Sequence, residues 1–184
     1  MSKGKYSKSF EIALSAISCA VAVAALSLGI ISGYLLATGY LIAVIALMLP
    51  LSKGFYWGEG LAYVATCILA IVLGAVIKFW DLVPFIMFFG LHPLINALQV
   101  KFKINRWLAF AVKAVWFDCT LIAAYFLIYG LGGAALPEWI ENIILGWRLY
   151  VIIFTAGSAL FLLYDFIIFQ CQVAVNKVVY RIKK

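Results

Sequence analysis

Residues 17–31 read ISCAVAVAALSLGII, and residues 151–164 read VIIFTAGSALFLLY. Neither run carries a charge, and neither alternates apolar with polar residues. The wall of a membrane β-barrel alternates over segments of about ten residues. An unbroken apolar run satisfies its own backbone in lipid only as a helix. The first run extends from about residue 9 to about residue 32, beyond the roughly 20 residues that cross a bilayer.

The rest of the chain agrees. Of 184 residues, 67% are hydrophobic and 11% charged, and the mean hydropathy is +1.14. An ordinary soluble domain is about half apolar and a quarter charged, so this composition cannot furnish a water-soluble surface. The fold class expected is all-α: one polytopic transmembrane domain over 1–184, with six helices at about 9–32, 34–51, 56–78, 82–101, 107–130 and 148–175. Gly33, the pair Ser52–Lys53, Asp81 and the polar 103–106 separate them. PEWIENIILGW (137–147) reads as a short interfacial helix with Trp139 and Trp147 at headgroup level. MSKGKYSKSF before the first run has a signal peptide's charge layout, but the run is too long for a signal core, so a retained helix is expected.

Charge orients the helices. With a cytoplasmic N-terminus, that side receives Lys3, Lys5, Lys8, Lys53, Lys101, Lys103, Arg106, Lys177, Arg181, Lys183 and Lys184, and the other side receives only Lys78 and Arg148. The asymmetry predicts both termini in the cytoplasm of a multi-pass plasma-membrane protein. The net charge of +7 is met by anionic lipid headgroups and requires no nucleic acid. Cys19, Cys67, Cys119 and Cys171 all lie in apolar runs without metal-ligand spacing, so they read as small apolar residues.

FFGLHPLINALQVKFK (88–103) holds the only histidine of the chain. At 1.5 Å per residue His92 lies about 15 Å into the fourth helix, and Asp118 about 16 Å into the fifth. Lys113 and Asp165 share a lower level. Ionisable groups at such depth face the bundle interior and pair, so two pairs are expected, His92 with Asp118 and Lys113 with Asp165, with Pro93 loosening the helix beside the first. His92 and Asn96 share a helical face, as do Glu59, Tyr63 and Thr66 on the third helix. This seam of His92, Asn96, Lys113, Asp118 and Asp165 suits a substrate, ion or proton. It equally suits helix–helix adhesion, at about 0.6 kcal/mol per contact.

No GxxxxGK[ST], HExxH, GxSxG or CxxC occurs. A single histidine excludes a multi-histidine metal centre, and nothing marks a nucleophile. No enzymatic activity, catalytic residue, metal or cofactor is expected.

Ala16, Ala20 and Ala24 repeat every four residues on the first helix, a spacing that lets another helix approach closely, within the chain or from a partner. With six helices, cytoplasmic termini, this alanine stripe and no ATPase motif, the chain resembles the substrate-binding S component of an energy-coupling factor (ECF) transporter. That resemblance implies capture of a small molecule from outside, and docking through Ala16, Ala20 and Ala24 on a transmembrane T component driven by cytoplasmic ATPases. It places ligand contacts near the outer face, where Trp80, Asp81, Tyr125, Trp147 and Arg148 are the candidates. FGLHPLINAL (89–98), YWGEGLAY (56–63) and KAVWFD (113–118) are also similar to stretches in a group of small bacterial membrane proteins, a likeness that names no substrate. Two other readings stay open: a self-contained transporter or lipid-handling protein working through His92 and Asp118, and a non-transport membrane scaffold.

Overall fold

A computed structural model describes residues 7–75, 78–131 and 146–181. These residues are helical, with no strand among them. Helix α1 is Lys8–Ser32, α2 Leu36–Leu51 and α3 Tyr56–Ala70, which continues as a π-helical turn over Ile71–Ala75. A 3-10 turn at Phe79–Leu82 and a π-helical turn at Phe85–Phe89 lead into α4, His92–Lys101. Helix α5 is Arg106–Tyr125, extended by a π-helical turn at Phe126–Leu131. Helix α6, Trp147–Ile152, passes through the π-helical turn Ile153–Gly157 into α7, Ser158–Arg181.

Among the described residues five stretches are long and apolar enough to cross a membrane: Lys8–Ser32, Tyr56–Leu73, Phe79–Lys101, Arg106–Gly130 and Trp147–Val179. The second of the six expected helices is shorter. Its 16 residues rise about 24 Å, against a hydrocarbon core of about 30 Å. The interfacial helix expected over 137–147 falls outside the described residues, except for Gly146 and Trp147.

Local chemistry sets the ends. Ser7 caps α1 by accepting from Phe10 N at 3.2 Å. After α2, Phe55 N bonds Pro50 O at 3.1 Å and Gly54 N bonds Leu51 O at 2.9 Å. This is the paired closure of a Schellman motif, with Gly54 at φ 78° in the left-handed position that glycine occupies without strain. The same closure ends α4, where Ile104 N bonds Gln99 O and Lys103 N bonds Val100 O. Here the left-handed residue is Lys103, at φ 53°. Asn105 then caps α5 by accepting from Trp107 N at 2.9 Å. Pro93 sits in the first turn of α4, where a missing N–H costs nothing. The irregularity precedes it: Gly90 N reaches back five residues to Phe85 O at 2.9 Å.

The chain falls into two compact units, 1–98 with 168–184, and 99–167. In the first, α1 packs along α2 and α3 over a core of Ala22, Leu26, Ile30, Ala43, Val44, Leu47, Met48, Phe85 and Phe88. The crossing of α1 and α2 is fixed by two glycines. A Cβ on Gly39 would stand 2.7 Å from the Ala25 carbonyl oxygen and 3.2 Å from the Gly29 Cα. The Lys53 ammonium, in the turn after α2, donates to the Val179 carbonyl at 3.2 Å. The second unit pairs α5 with the π-helical turn Ile153–Gly157 around Phe117 and Phe161, whose rings are 5.7 Å apart.

Gly39→Ala forces a backbone shift at the α1–α2 crossing and should lower unfolding stability by about 1–3 kcal/mol. Gly60→Ala, with nothing within 4 Å of its Cβ, should be neutral or stabilising by up to about 1 kcal/mol. Thermal unfolding in one detergent, followed by tryptophan fluorescence, compares the two.

Candidate functional site

Three of the buried polar side chains are hydroxyls that return to their own helices. Ser18 donates to Leu14 O at 2.9 Å, Thr66 to Ala62 O at 2.7 Å and Thr120 to Trp116 O at 2.9 Å. The exposed Thr155 does the same to Val151 O at 2.7 Å. Such back-bonding satisfies a hydroxyl without a second helix, so Thr66 is not required by any interhelical seam. What remains is a short set of amide, imidazole and charged groups.

In the second unit, Lys113 Nζ on α5 lies 2.8 Å from Asp165 Oδ1 on α7, the pair expected from their depth. The lysine side chain is 7% exposed and the aspartate 23%, so the two charges are largely withdrawn from the surroundings together. Farther along α5, Asp118 is buried and accepts at Oδ2 from the Ser158 hydroxyl at 3.2 Å. Its Oδ1 has no hydrogen-bond partner among the described residues. Gly157 makes room for it: a Cβ there would stand 2.9 Å from Asp118 Oδ1. Two polar couples are thus stacked where α5 meets the helical stretch through 153–165.

In the first unit, His92 and Asn96 open α4 on one face. Both are buried, with Asn96 Nδ2 3.4 Å from His92 Nδ1, and the His92 ring is 5.1 Å from that of Phe88. The expected partners His92 and Asp118 belong to different units. Asn96 neighbours the first and Ser158 the second, each within its own unit. Glu59, in the first turn of α3, has no exposed surface. The sequence contained the signal for it, a glutamate sharing a helical face with Tyr63, but its position near the helix end made it read as a boundary residue. Ser158, the partner of Asp118, carries no charge and so stands out less.

The outer-face candidates fall in both units. Trp80 packs edge-on against Phe79, with ring centroids 5.6 Å apart, and the Asp81 carbonyl accepts from the Tyr40 hydroxyl. Tyr125 packs beside Tyr129 at 5.2 Å. Trp147 is 71% exposed, and Arg148 is exposed beside it. Trp80 and Asp81 belong to the first unit, and Tyr125, Trp147 and Arg148 to the second.

The alanine stripe is more definite. Ala16, Ala20 and Ala24 are all exposed, whereas Ser18, Cys19, Ala22, Val23, Leu26, Gly29 and Ile30 form the buried face of α1. Packing among the described residues of the first unit therefore does not account for the three alanines. Beside them an open apolar groove of about 580 Å³ runs between α1 and α3, lined by Ala20, Val23, Ala24, Ser27, Leu28, Leu69 and Leu73.

No family model, curated protein or solved structure matches the chain.

Lys113→Met removes the cation 2.8 Å from Asp165 and should destabilise the protein by about 1–3 kcal/mol, below the roughly 3–5 kcal/mol of breaking a fully buried pair because Asp165 keeps some exposure. Adding Asp165→Leu to Lys113→Met should recover at least half of that loss. A double-mutant cycle on unfolding free energies in one detergent measures both.

Proposed function

We propose that the chain is the membrane-embedded binding subunit of a transporter, similar in kind to the S component of an ECF transporter. It captures a small molecule and docks on a separate transmembrane partner energised by cytoplasmic ATPases. The exposed stripe of Ala16, Ala20 and Ala24 carries this reading. Lipid chains pack against leucine or isoleucine as readily as against alanine. Small residues at four-residue spacing become useful where another helix's backbone approaches closely, and the groove beside Ala20 and Ala24 gives a side chain of that helix somewhere to lodge. The distribution of lysine and arginine supports placing both ends in the cytoplasm, and a bacterial plasma-membrane location is what the resemblance to an S component implies.

Affinity capture of the tagged chain from its native membrane, in a mild detergent, should bring down a transmembrane partner together with an ATPase. Ala20→Trp should reduce that recovery at least about tenfold, equivalent to about 1.4 kcal/mol of docking energy, with the variant's own unfolding temperature unchanged. Val112→Trp, at an exposed position of α5 in the other unit, should leave recovery intact. Capture without any ATPase-bearing partner would remove this reading.

A further inference from the structure

Asp118 stands on α5, within a stretch long and apolar enough to cross a membrane, and is 3% exposed. Its two carboxyl oxygens meet different surroundings. Oδ2 accepts from the Ser158 hydroxyl at 3.2 Å, whereas Oδ1 is buried with no hydrogen-bond partner among the described residues. The position a Gly157 Cβ would take lies 2.9 Å from Oδ1, 3.0 Å from Leu121 Cδ1 and 3.8 Å from Ile153 Cγ2. The free oxygen therefore lies against the glycine and beside aliphatic carbon.

The facing wall leaves room for this carboxyl. The π-helical turn Ile153–Gly157 packs on α5 and ends at the glycine, and wide turns of this kind recur at functional sites. Thr155, within the turn, donates to Val151 O at 2.7 Å, so its proton is committed to its own helix. A carboxyl bonded at one oxygen and closed in by hydrocarbon at the other is costly when ionised and far less so when it carries a proton. A metal ion needs several ligands at once, and no group of three His, Cys, Asp or Glu residues able to hold one occurs among the described residues. A proton is the ligand that fits.

The other titratable groups of the two packed elements are few. On α5 stand Lys113, Cys119 and Tyr125. Cys119 is exposed, and Tyr125 packs beside Tyr129. On the facing stretch stand Tyr150, Tyr164 and Asp165, with Arg148 exposed at its start. Lys113 is five residues from Asp118, about 7.5 Å along the helix, and Asp165 is seven residues from Ser158, about 10 Å. These two are paired with each other at 2.8 Å, so their opposite charges largely cancel at Asp118.

We propose that Asp118 is a proton-binding site buried in the second unit, taking up and releasing one proton at Oδ1 while the Ser158 hydroxyl holds Oδ2. In the loaded state the carboxyl is neutral, and Oδ2 is the carbonyl oxygen that accepts from Ser158. Release breaks the Oδ1–H bond, passes the proton to a water molecule and leaves one negative charge on the carboxylate. Nothing is oxidised or reduced. The site is distinct from the alanine stripe on α1, which lies in the other unit.

The chain has three aspartates, Asp81, Asp118 and Asp165, so the infrared spectrum of protein labelled with 13C-aspartate is simple to read. In lipid nanodiscs a protonated-aspartate band should be present at low pH, fall as the pH is raised between about 4 and about 9, and return on acidification. Asp118→Asn should abolish it. Ser158→Ala should move it to higher frequency, because the carbonyl loses its hydrogen bond. Exchanging sodium for choline at constant ionic strength should leave it unchanged. The site is overturned by no band at any pH, by a band that does not respond to pH, by a band that survives in D118N, or by one that sodium displaces. If D118N does not fold, S158A decides, and an unchanged frequency there overturns the assignment to Asp118. None of these outcomes touches partner docking, which stands or falls by capture.

Discussion

Hydrocarbon donates and accepts no hydrogen bonds, so each polar atom within a membrane span must be satisfied by the chain, neutralised, or left at a cost. That constraint orders much of this molecule. Backbone groups are consumed in helices and in the two Schellman closures that end α2 and α4. The buried hydroxyls of Ser18, Thr66 and Thr120 fold back on their own helices. One lysine is matched to one aspartate. Among the described residues two carboxylates then stand out, Asp118 with one oxygen unmatched and Glu59 with both. Leftover groups of this kind are where a membrane protein departs from pure architecture, because a strictly structural chain would gain by replacing them with leucine.

Glycine serves contact more than flexibility in this chain. Gly39 brings α1 and α2 within backbone distance, Gly58 admits the Ser15 hydroxyl and Glu11, Gly90 receives the Tyr63 ring, and Gly157 receives the Asp118 carboxylate. In lipid, where no hydrophobic driving force holds helices together, dispersion between closely packed backbones and rings takes a larger share of the work. The π-helical turns at Phe85–Phe89 and Ile153–Gly157 border Gly90 and end at Gly157. The wide turns thus coincide with the places where a side chain from another helix needs room.

Much of this was legible in the sequence. Unbroken apolar runs gave the helical class, and Gly33, Ser52–Lys53 and the polar 103–106 marked real helix ends. The Lys113–Asp165 pair could be found because charge is scarce in lipid and depth follows from helical rise. Other features were hidden for physical reasons. Whether Ala16, Ala20 and Ala24 face inward or outward depends on which side of α1 the neighbouring helices take, and periodicity cannot distinguish one apolar face from another. The short reach of α2 follows from turn geometry at Gly33–Leu35. The contact of Tyr63 with Gly90, a ring against a missing methyl, is one that no spacing rule encodes.

Lys103 occupies a left-handed backbone position that disfavours a residue with a side chain by about 1–2 kcal/mol and leaves glycine at ease. Its counterpart after α2 is Gly54. The chain thus tolerates local discomfort in one of two equivalent closures, and the residue kept there is a cation between Lys101 and Arg106. Thermodynamic robustness and membrane insertion draw on the same residue in opposite ways. A variant hardened by glycine at this corner would surrender a cation beside an apolar span, the kind of residue by which membrane helices in general are oriented during insertion.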